Sequence, residues 1–140
     1  MIAQVIAQLR TGVGALKHVD GAAQFMTAAQ SNPHVTPAAF VIPMTEDPSR
    51  SEVAGLVIQR VAITLGVILV VRNVSDKSGD AARQDMETLR EAVKGNLLGW
   101  QPSTQYDPFE RGRSTLLAFK DGHMWWQDIY LTSTFDRSVV

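Results

Sequence analysis

The sequence contains no cysteine. Disulfides, zinc–thiolate sites and thiol nucleophiles are therefore excluded, and the composition is that of a protein made for a reducing cytoplasm. An excess of charge of one sign is also missing, because 13 Lys and Arg residues stand against 14 Asp and Glu residues, for a net charge of −1. DNA-binding domains usually carry a basic stripe. We therefore expect any contact with DNA to be local or passive.

A long apolar run is absent as well. The most apolar stretch, Val61–Val71, is about half as long as the roughly 20 residues that a membrane helix needs, and it is rich in β-branched residues. The first residues, Met1–Ile6, lack a basic leader followed by a cleavable apolar segment. We expect neither export nor a membrane partner. With 140 residues, of which 45% are hydrophobic, the chain is predicted to form a single domain over residues 1–140.

The most informative pattern runs from Val57 to Val71, where every second residue is apolar except Gln59. A period of two predicts one β-strand with one face buried, much longer than the usual strand of about 5–6 residues. The opposite face is polar early and apolar late, with Gly66 between the halves as a bend or bulge. We expect the late half to be covered on both faces and the early half, around Gln59 and Arg60, to extend from the domain.

Around this strand, hydrophobic periodicity and turn residues predict further elements. In the N-terminal part they are an amphipathic helix that Gly12 and Gly14 end, a strand at Leu16–Val19, a helix over Gly21–Gln30 capped by Asp20, a strand at Ala38–Pro43 and a mobile polar loop at Thr45–Glu52. In the C-terminal part they are a turn at Ser75–Asp80, a helix over Asp80–Leu98, an irregular stretch at Gln101–Gly112, and strands at Ser114–Lys120 and His123–Phe135 around a Lys-Asp-Gly hairpin turn. The apolar face of the C-terminal helix comprises Ala82, Met86, Leu89, Val93 and Leu97.

This order of elements predicts an α+β fold in which helices pack on a mainly antiparallel, mixed sheet with one long strand and hairpin. No internal repeat or low-complexity segment interrupts it.

Catalytic chemistry has little support in the sequence. His18, His34 and His123 lie in different elements without a second ligand at metal-binding spacing. Asp121 next to His123 is better explained as a turn carboxylate than as half of an acid–base pair. Gly12-Val13-Gly14 lacks the third glycine of a dinucleotide loop. We predict no catalytic residue, no metal and no cofactor.

Two adjacent tryptophans, Trp125 and Trp126, must point to opposite faces of a strand. Three interpretations remain open: both are buried in a central strand covered on both faces, one is an interface residue, or one stacks on single-stranded nucleic acid. The first is favoured, and the third lacks a basic groove.

Five strings in succession carry a resemblance to a known family: Met1–Leu9, Pro37–Pro43, Val70–Val74, Leu97–Pro102 and Trp125–Tyr130. In this order and spacing the chain resembles the tail terminator, or tail completion, proteins of long-tailed bacteriophages and prophages. Each string is mainly a structural element, so the specificity lies in their succession over nearly the whole chain.

The resemblance implies a structural subunit, not an enzyme. It implies a subunit that is a monomer when isolated and that forms a homo-hexameric ring on the tail. The ring closes the head-proximal end of the tail tube in the virion, which is assembled in the bacterial host cytoplasm. The implied partners are other copies of the chain, the tail tube protein and a head-completion or connector protein, with DNA passing through an axial channel.

Polar residues near loops and strand ends are the candidates for contacts with neighbouring subunits or the tail tube. These candidate interface residues are Arg50, Glu52, Gln59, Arg60, Arg111 and Arg113. Two alternatives stay open: a head–tail connector or neck protein, and a small α+β enzyme or ligand-binding domain with a pocket around His18 or His123.

Overall fold

The computed structural model describes residues 1–73 and 79–139. Within these residues, three helices and five strands follow one another. They are α1 (Ile2–Gly12), β1 (His18–Asp20), α2 (Ala22–Gln30), β2 (Ala38–Pro48), β3 (Ile58–Arg72), α3 (Asp80–Leu97), β4 (Glu110–Lys120) and β5 (His123–Arg137). Val74 and most of the turn predicted at Ser75–Asp80 lie outside the described residues.

The strands form one sheet in the order β1-β2-β3-β5-β4. β1 and β2 are parallel, and every other neighbouring pair is antiparallel. The predicted α+β class with a mainly antiparallel, mixed sheet is confirmed. β3 lies in the middle of the sheet and pairs with β5 along its full length, from Ile58 opposite Arg137 to Arg72 opposite His123.

The two faces of the sheet are covered unequally. On the helix face, α1 and α3 pack on alternate residues of β3, including Leu65, Val67 and Leu69, which are fully buried. On the opposite face, α2 covers only one end, where Phe25 packs on Phe40, Ile68, Val70 and Trp125. The other end of that face carries no helix, and Arg60 and Ala62 of β3 are exposed there. The predicted division of β3 into a doubly covered half and a half exposed on one face is therefore confirmed.

Helix α3 follows its prediction closely. Its buried residues are Ala82, Met86, Leu89, Val93 and Leu97, the apolar face predicted from spacing. The hairpin between β4 and β5 also forms where predicted, with Asp121 and Gly122 both at positive φ, 53° and 73°. Two successive positive φ angles match a type I′ turn, whose twist suits antiparallel strands.

The polar segment after Pro43 is not a mobile loop as predicted. β2 continues through Thr45–Pro48, which pairs with β3 from Thr64 to Val61. Pairing with a long neighbouring strand compensates for the low β-propensity of these residues. The bulge predicted at Gly66 is in β2 instead, at Met44. A Cβ on Gly66 would lie 3.1 Å from Sδ of Met44, so glycine leaves room for the bulged side chain.

Other predictions were displaced by a few residues. β1 begins two residues later than predicted, and Asp20 ends it instead of capping α2. The carboxylate of Asp20 accepts a hydrogen bond from the Gly21 N–H (3.2 Å), and α2 has no side-chain cap. β4 begins at Glu110, so the stretch predicted to be irregular is shorter than Gln101–Gly112.

The two tryptophans differ in burial: Trp125 is buried, as the first interpretation requires, whereas Trp126 is only half-buried. Trp125 is buried beside α2, and its indole N–H donates to Asn32 Oδ1 (3.1 Å). Trp126 packs against the core on the helix face, with the Arg90 guanidinium 4.5 Å from its ring centroid. The structure agrees with the first interpretation in that a central strand is covered on both faces.

The burial of β3 generates a paired test. Leu65→Asp should prevent folding, because it places an unpaired charge at a fully buried position. Ala62→Asp, three residues earlier on the exposed face, should fold with a melting temperature close to that of the wild type. Circular dichroism of the soluble fractions measures both. A soluble, cooperatively folded Leu65→Asp variant would contradict this assignment of faces.

Candidate subunit interface

The sheet has two outer edges that no strand of this chain covers along their full length. β1 pairs only with Ala38–Phe40, so the outer edge of β2 beyond Val41 has no neighbouring strand. At the other side of the sheet, the outer edge of β4 is open from Glu110 to Lys120. Open edges of this kind are sites at which proteins associate unless they are protected.

The open part of β2 is acidic, and two prolines reduce its number of amide donors. Glu46 and Asp47 are exposed, and they form no ion pair with the described residues. Pro48 precedes Ser49, whose N–H donates inward to the Arg60 carbonyl (2.8 Å), so by alternation Pro48 is at an outward position. Pro43 also lacks an N–H. Prolines on an edge strand oppose the addition of another strand.

The edge formed by β4 is basic and irregular. Its register with β5 shifts twice, between Arg111 and Ser114 and between Leu116 and Ala118. Bulges of this kind twist an edge away from regular pairing. The exposed side chains of β4 include Arg113 and three large apolar residues, Leu116, Leu117 and Phe119. Arg111 and Arg113 were predicted from the sequence, but the apolar residues were not, because their exposure depends on β4 being an edge strand.

A buried carboxylate holds this edge against α3. Asp128 of β5 is almost fully buried and accepts two hydrogen bonds of 2.9 Å from Arg90, one from Nε and one from Nη2. Ser114 donates another (2.6 Å), and Arg111 lies 3.8 Å away. Burial raises the pKa of Asp128, but the hydrogen bonds from Arg90 and Ser114 and the Arg90 charge outweigh it, so the pKa lies below its usual value.

The predicted residue Arg60 is bound within its own chain. Its guanidinium donates to Asp107 Oδ2 (2.7 Å) and lies 5.7 Å from the ring centroid of Phe135. Asp107 also accepts a hydrogen bond from Ser133, and its N–H donates to the Ser133 carbonyl (3.0 Å). The hydrogen bond from Ser133, assisted by Arg60, lowers the pKa of Asp107. Asp107 thus attaches the segment before β4 to the outer side of β5.

The loop between β2 and β3, residues 49–57, is ordered by its serines. Ser51 Oγ accepts from the Ile58 N–H (3.0 Å), and Gln59 donates to the Ser49 carbonyl (2.8 Å). Arg50 and Glu52 are exposed here, whereas Gln59 is half-buried. Val53, Leu56 and Val57 are exposed as well and form an apolar tip that the sequence analysis missed. The structure brings Arg50, Glu52 and Gln59 together near Arg60, and it places Arg111 and Arg113 on the other edge.

A pocket of about 420 Å³ lies beside α2, and His18, His34 and Phe40 are among its lining residues. Within residues 1–73 and 79–139, the groups with a displaced pKa are Glu91, Asp107, Asp128 and Tyr130, all outside this pocket. His123 is buried in the hairpin, with Nδ1 3.0 Å from the Asp121 carbonyl. No group of three His, Asp or Glu side chains in the described part of the chain could hold a metal ion.

Comparison with protein families decides the identity. The model of the phage tail terminator protein family matches residues 2–138. The chain belongs to this family. As a tail terminator it is a structural, non-enzymatic component of the tail of a phage-like virion.

A solved structure supports the fold of the terminator. The chain is similar to a chain in a structure titled "Virion of native gene transfer agent (GTA) particle", with 15% sequence identity and a TM-score of 0.56. The match covers 97% of this chain and 95% of the other. A comparison with curated proteins found no match. None of the helices in the described part of the terminator is long and apolar enough to cross a membrane.

The Asp128 network generates a test of stability against pH. Asp128→Ala should lower the free energy of unfolding at pH 7 by about 3–5 kcal/mol, because it leaves the Arg90 charge without its partner in a partly buried site. In the wild type, the lowered pKa means that this contribution is complete above about pH 4 and is lost as the pH falls through the folded-state value.

Urea denaturation at several pH values from 7 to 2.5 measures this effect. Asp128→Asn, which cannot ionise, should lose less stability on acidification than the wild type. Parallel pH curves for the two proteins would contradict the role assigned to Asp128.

The Asp107 contacts generate a second test. Asp107→Ala should increase amide exchange in residues 103–108, because the segment loses its side-chain bonds to Arg60 and Ser133. Because the Arg60 and Asp107 side chains are about half exposed, the melting temperature should change little. Hydrogen-exchange mass spectrometry measures the effect, and Asp136→Ala, an exposed carboxylate near the end of β5, is the matched control. Unchanged exchange in both variants would show that other contacts hold the segment.

Proposed function

We propose that this terminator assembles as a homo-hexameric ring on the head-proximal end of the tail tube, where it stops tube polymerisation. The ring then presents a surface to the head-completion or connector protein and leaves an axial channel for DNA. The observation that carries the proposal is the family match over residues 2–138. The whole chain, residues 1–140, acts in it as one domain that is assembled in the bacterial host cytoplasm and is monomeric in isolation.

The distribution of charge supports this proposal. A ring through which DNA slides must not bind the phosphate backbone tightly, and strong binding requires many Lys and Arg contacts. The chain has a net charge of −1. Several of its arginines are already engaged by carboxylates, as Arg60 is by Asp107 and Arg90 by Asp128.

The shape of the sheet supports self-association. Its open edges are two different surfaces, so contact between successive copies is heterologous and closes into a ring when the rotation between copies allows it. We propose that the candidate interface residues divide between two contacts: Arg111 and Arg113 face a neighbouring subunit, and Arg50, Glu52, Gln59 and Arg60 lie towards the tail tube.

Electron microscopy of lysates that lack the protein tests the function. Loss of a terminator should give tail tubes longer than normal, because nothing stops polymerisation. Supplying the wild-type chain from a plasmid should restore the normal length, and supplying the unfolded variant Leu65→Asp should not. Tails of normal length detached from heads would overturn the proposal in favour of a connector role.

A further inference from the structure

We propose that the acidic edge of β2 in one subunit binds the basic edge of β4 in the next subunit. The partner is a second copy of this chain, and the contact rests on the proposed ring. It is made by side chains, because prolines on one edge and bulges on the other disfavour a continuous β-ladder.

The strand directions fit a head-to-tail arrangement. Each step from β2 through β3 and β5 to β4 is antiparallel, so β4 runs opposite to β2. When successive subunits keep the same orientation, β4 of one copy therefore lies antiparallel to β2 of the next. A single copy contributes one edge to each of two contacts, as a closed ring requires.

The charges on the two edges are offset along the strands by two to four residues. Through the registers of β3 and β5, Glu46 is level with Thr132 and Arg111 with Tyr130, which are about 7 Å apart along the strand. Asp47 is level with Ser133, and Arg113 lies in the bulge opposite Ile129, about 13 Å away along the strand. A shear of about 10 Å between subunits brings each acidic residue to within about 3 Å of the level of its basic partner, which long side chains can span.

The charges also match face by face. Glu46 is opposite Ile63 and Arg111 opposite Tyr130, two buried residues of the helix face. On the other face, Asp47 is opposite Ala62, while Gly112 and Arg113 form the bulge opposite Ile129. A Cβ on Gly112 would lie 3.0 Å from Ile129 Cγ2, which places this bulge against that face.

The pairings that follow are Glu46 with Arg111 and Asp47 with Arg113. Glu110, the acidic residue beside Arg111, alternates to the face of Asp47 and Arg113, so it lies away from the first pairing but reduces the positive charge that Asp47 meets in the second. Asp47 and Arg113 have no ion pair within the described part of their own chain, so forming their contact breaks no existing bond.

Exposed apolar side chains supply the rest of the contact. Met44 projects from the bulge of β2, and Leu116 and Leu117 are exposed on β4. Interfaces commonly surround such apolar residues with charged ones, and the charges determine which surfaces meet.

Charge reversal with electron microscopy of tails tests the proposal. A double variant, Glu46→Lys with Asp47→Lys, should reduce the fraction of tails of normal length by about tenfold or more, because like charges then face each other. Arg113→Glu should act in the same direction. Combining Arg113→Glu with Asp47→Lys should restore normal length relative to either single change, since the pair is re-formed with its signs exchanged.

The matched control exchanges another ion pair far from both edges. Arg83→Glu with Glu87→Lys on α3 also reverses exposed charges and keeps the net charge, and it should cap tails normally. All variants should melt near the wild-type temperature. Normal capping by the edge variants, or failure of the combined variant despite normal melting, would overturn the proposal.

Cysteine cross-linking separates this contact from the proposed function. In the cysteine-free chain, Asp47→Cys with Arg113→Cys should give covalent multimers when lysates are treated with a bifunctional maleimide, whose spacer bridges a contact made by long side chains. Either cysteine alone should give none, because the contact is heterologous. Gln4→Cys with Glu87→Cys, on the exposed helix surfaces, is the control. If multimers form but tail length is the same with and without the protein, the contact stands and the capping role is refuted. Absence of multimers on correctly capped tails would refute the contact alone.

Discussion

The structure depends on β3, because this strand must satisfy two different environments along its length. One face is apolar from Val61 to Val71 and packs under α1, α3 and the segment before β4. The other face becomes apolar only near Ile68 and Val70, where α2 covers it. Because β2 and β5 pair with β3 beyond the end of α2, this face of the sheet is uncovered there in all three strands. The open edges themselves follow from strand order, because β4 is the last strand and β1 pairs only with Ala38–Phe40.

The outer edges of β2 and β4 have no neighbouring strand, but both carry features that oppose the addition of one. Pro43 and Pro48 remove amide donors from β2, and two bulges disturb β4, so an isolated chain resists indiscriminate strand addition. Opposite charges at the same two edges favour one particular neighbour. This combination suits the heterologous contact between copies that we propose. The buried Asp128 positions β4 for that contact through Arg90 and Ser114.

The candidate site was only partly predictable from sequence. Arg111 and Arg113 could be selected because they lie near a strand end, but their partners within the sheet are distant in sequence. Arg60 was selected for the same reason, and it is engaged by Asp107, 47 residues away. The exposed apolar residues of β4, such as Leu116, resemble core residues by composition. Only strand order reveals that they lie at an edge, because order depends on long-range pairing.

Local patterns by themselves determined the elements whose stabilising contacts are periodic or close in sequence. The apolar face of α3, the alternation of β3 and the turn at Asp121 and Gly122 belong to this group. Tertiary structure alone decided that Thr45–Pro48 is a strand, that the bulge is at Met44 instead of Gly66, and that Trp126 is covered by Arg90. In these cases a segment distant in sequence supplies the hydrogen bonds or the covering side chain. The free energy of these contacts outweighs the local conformational preference of the residues.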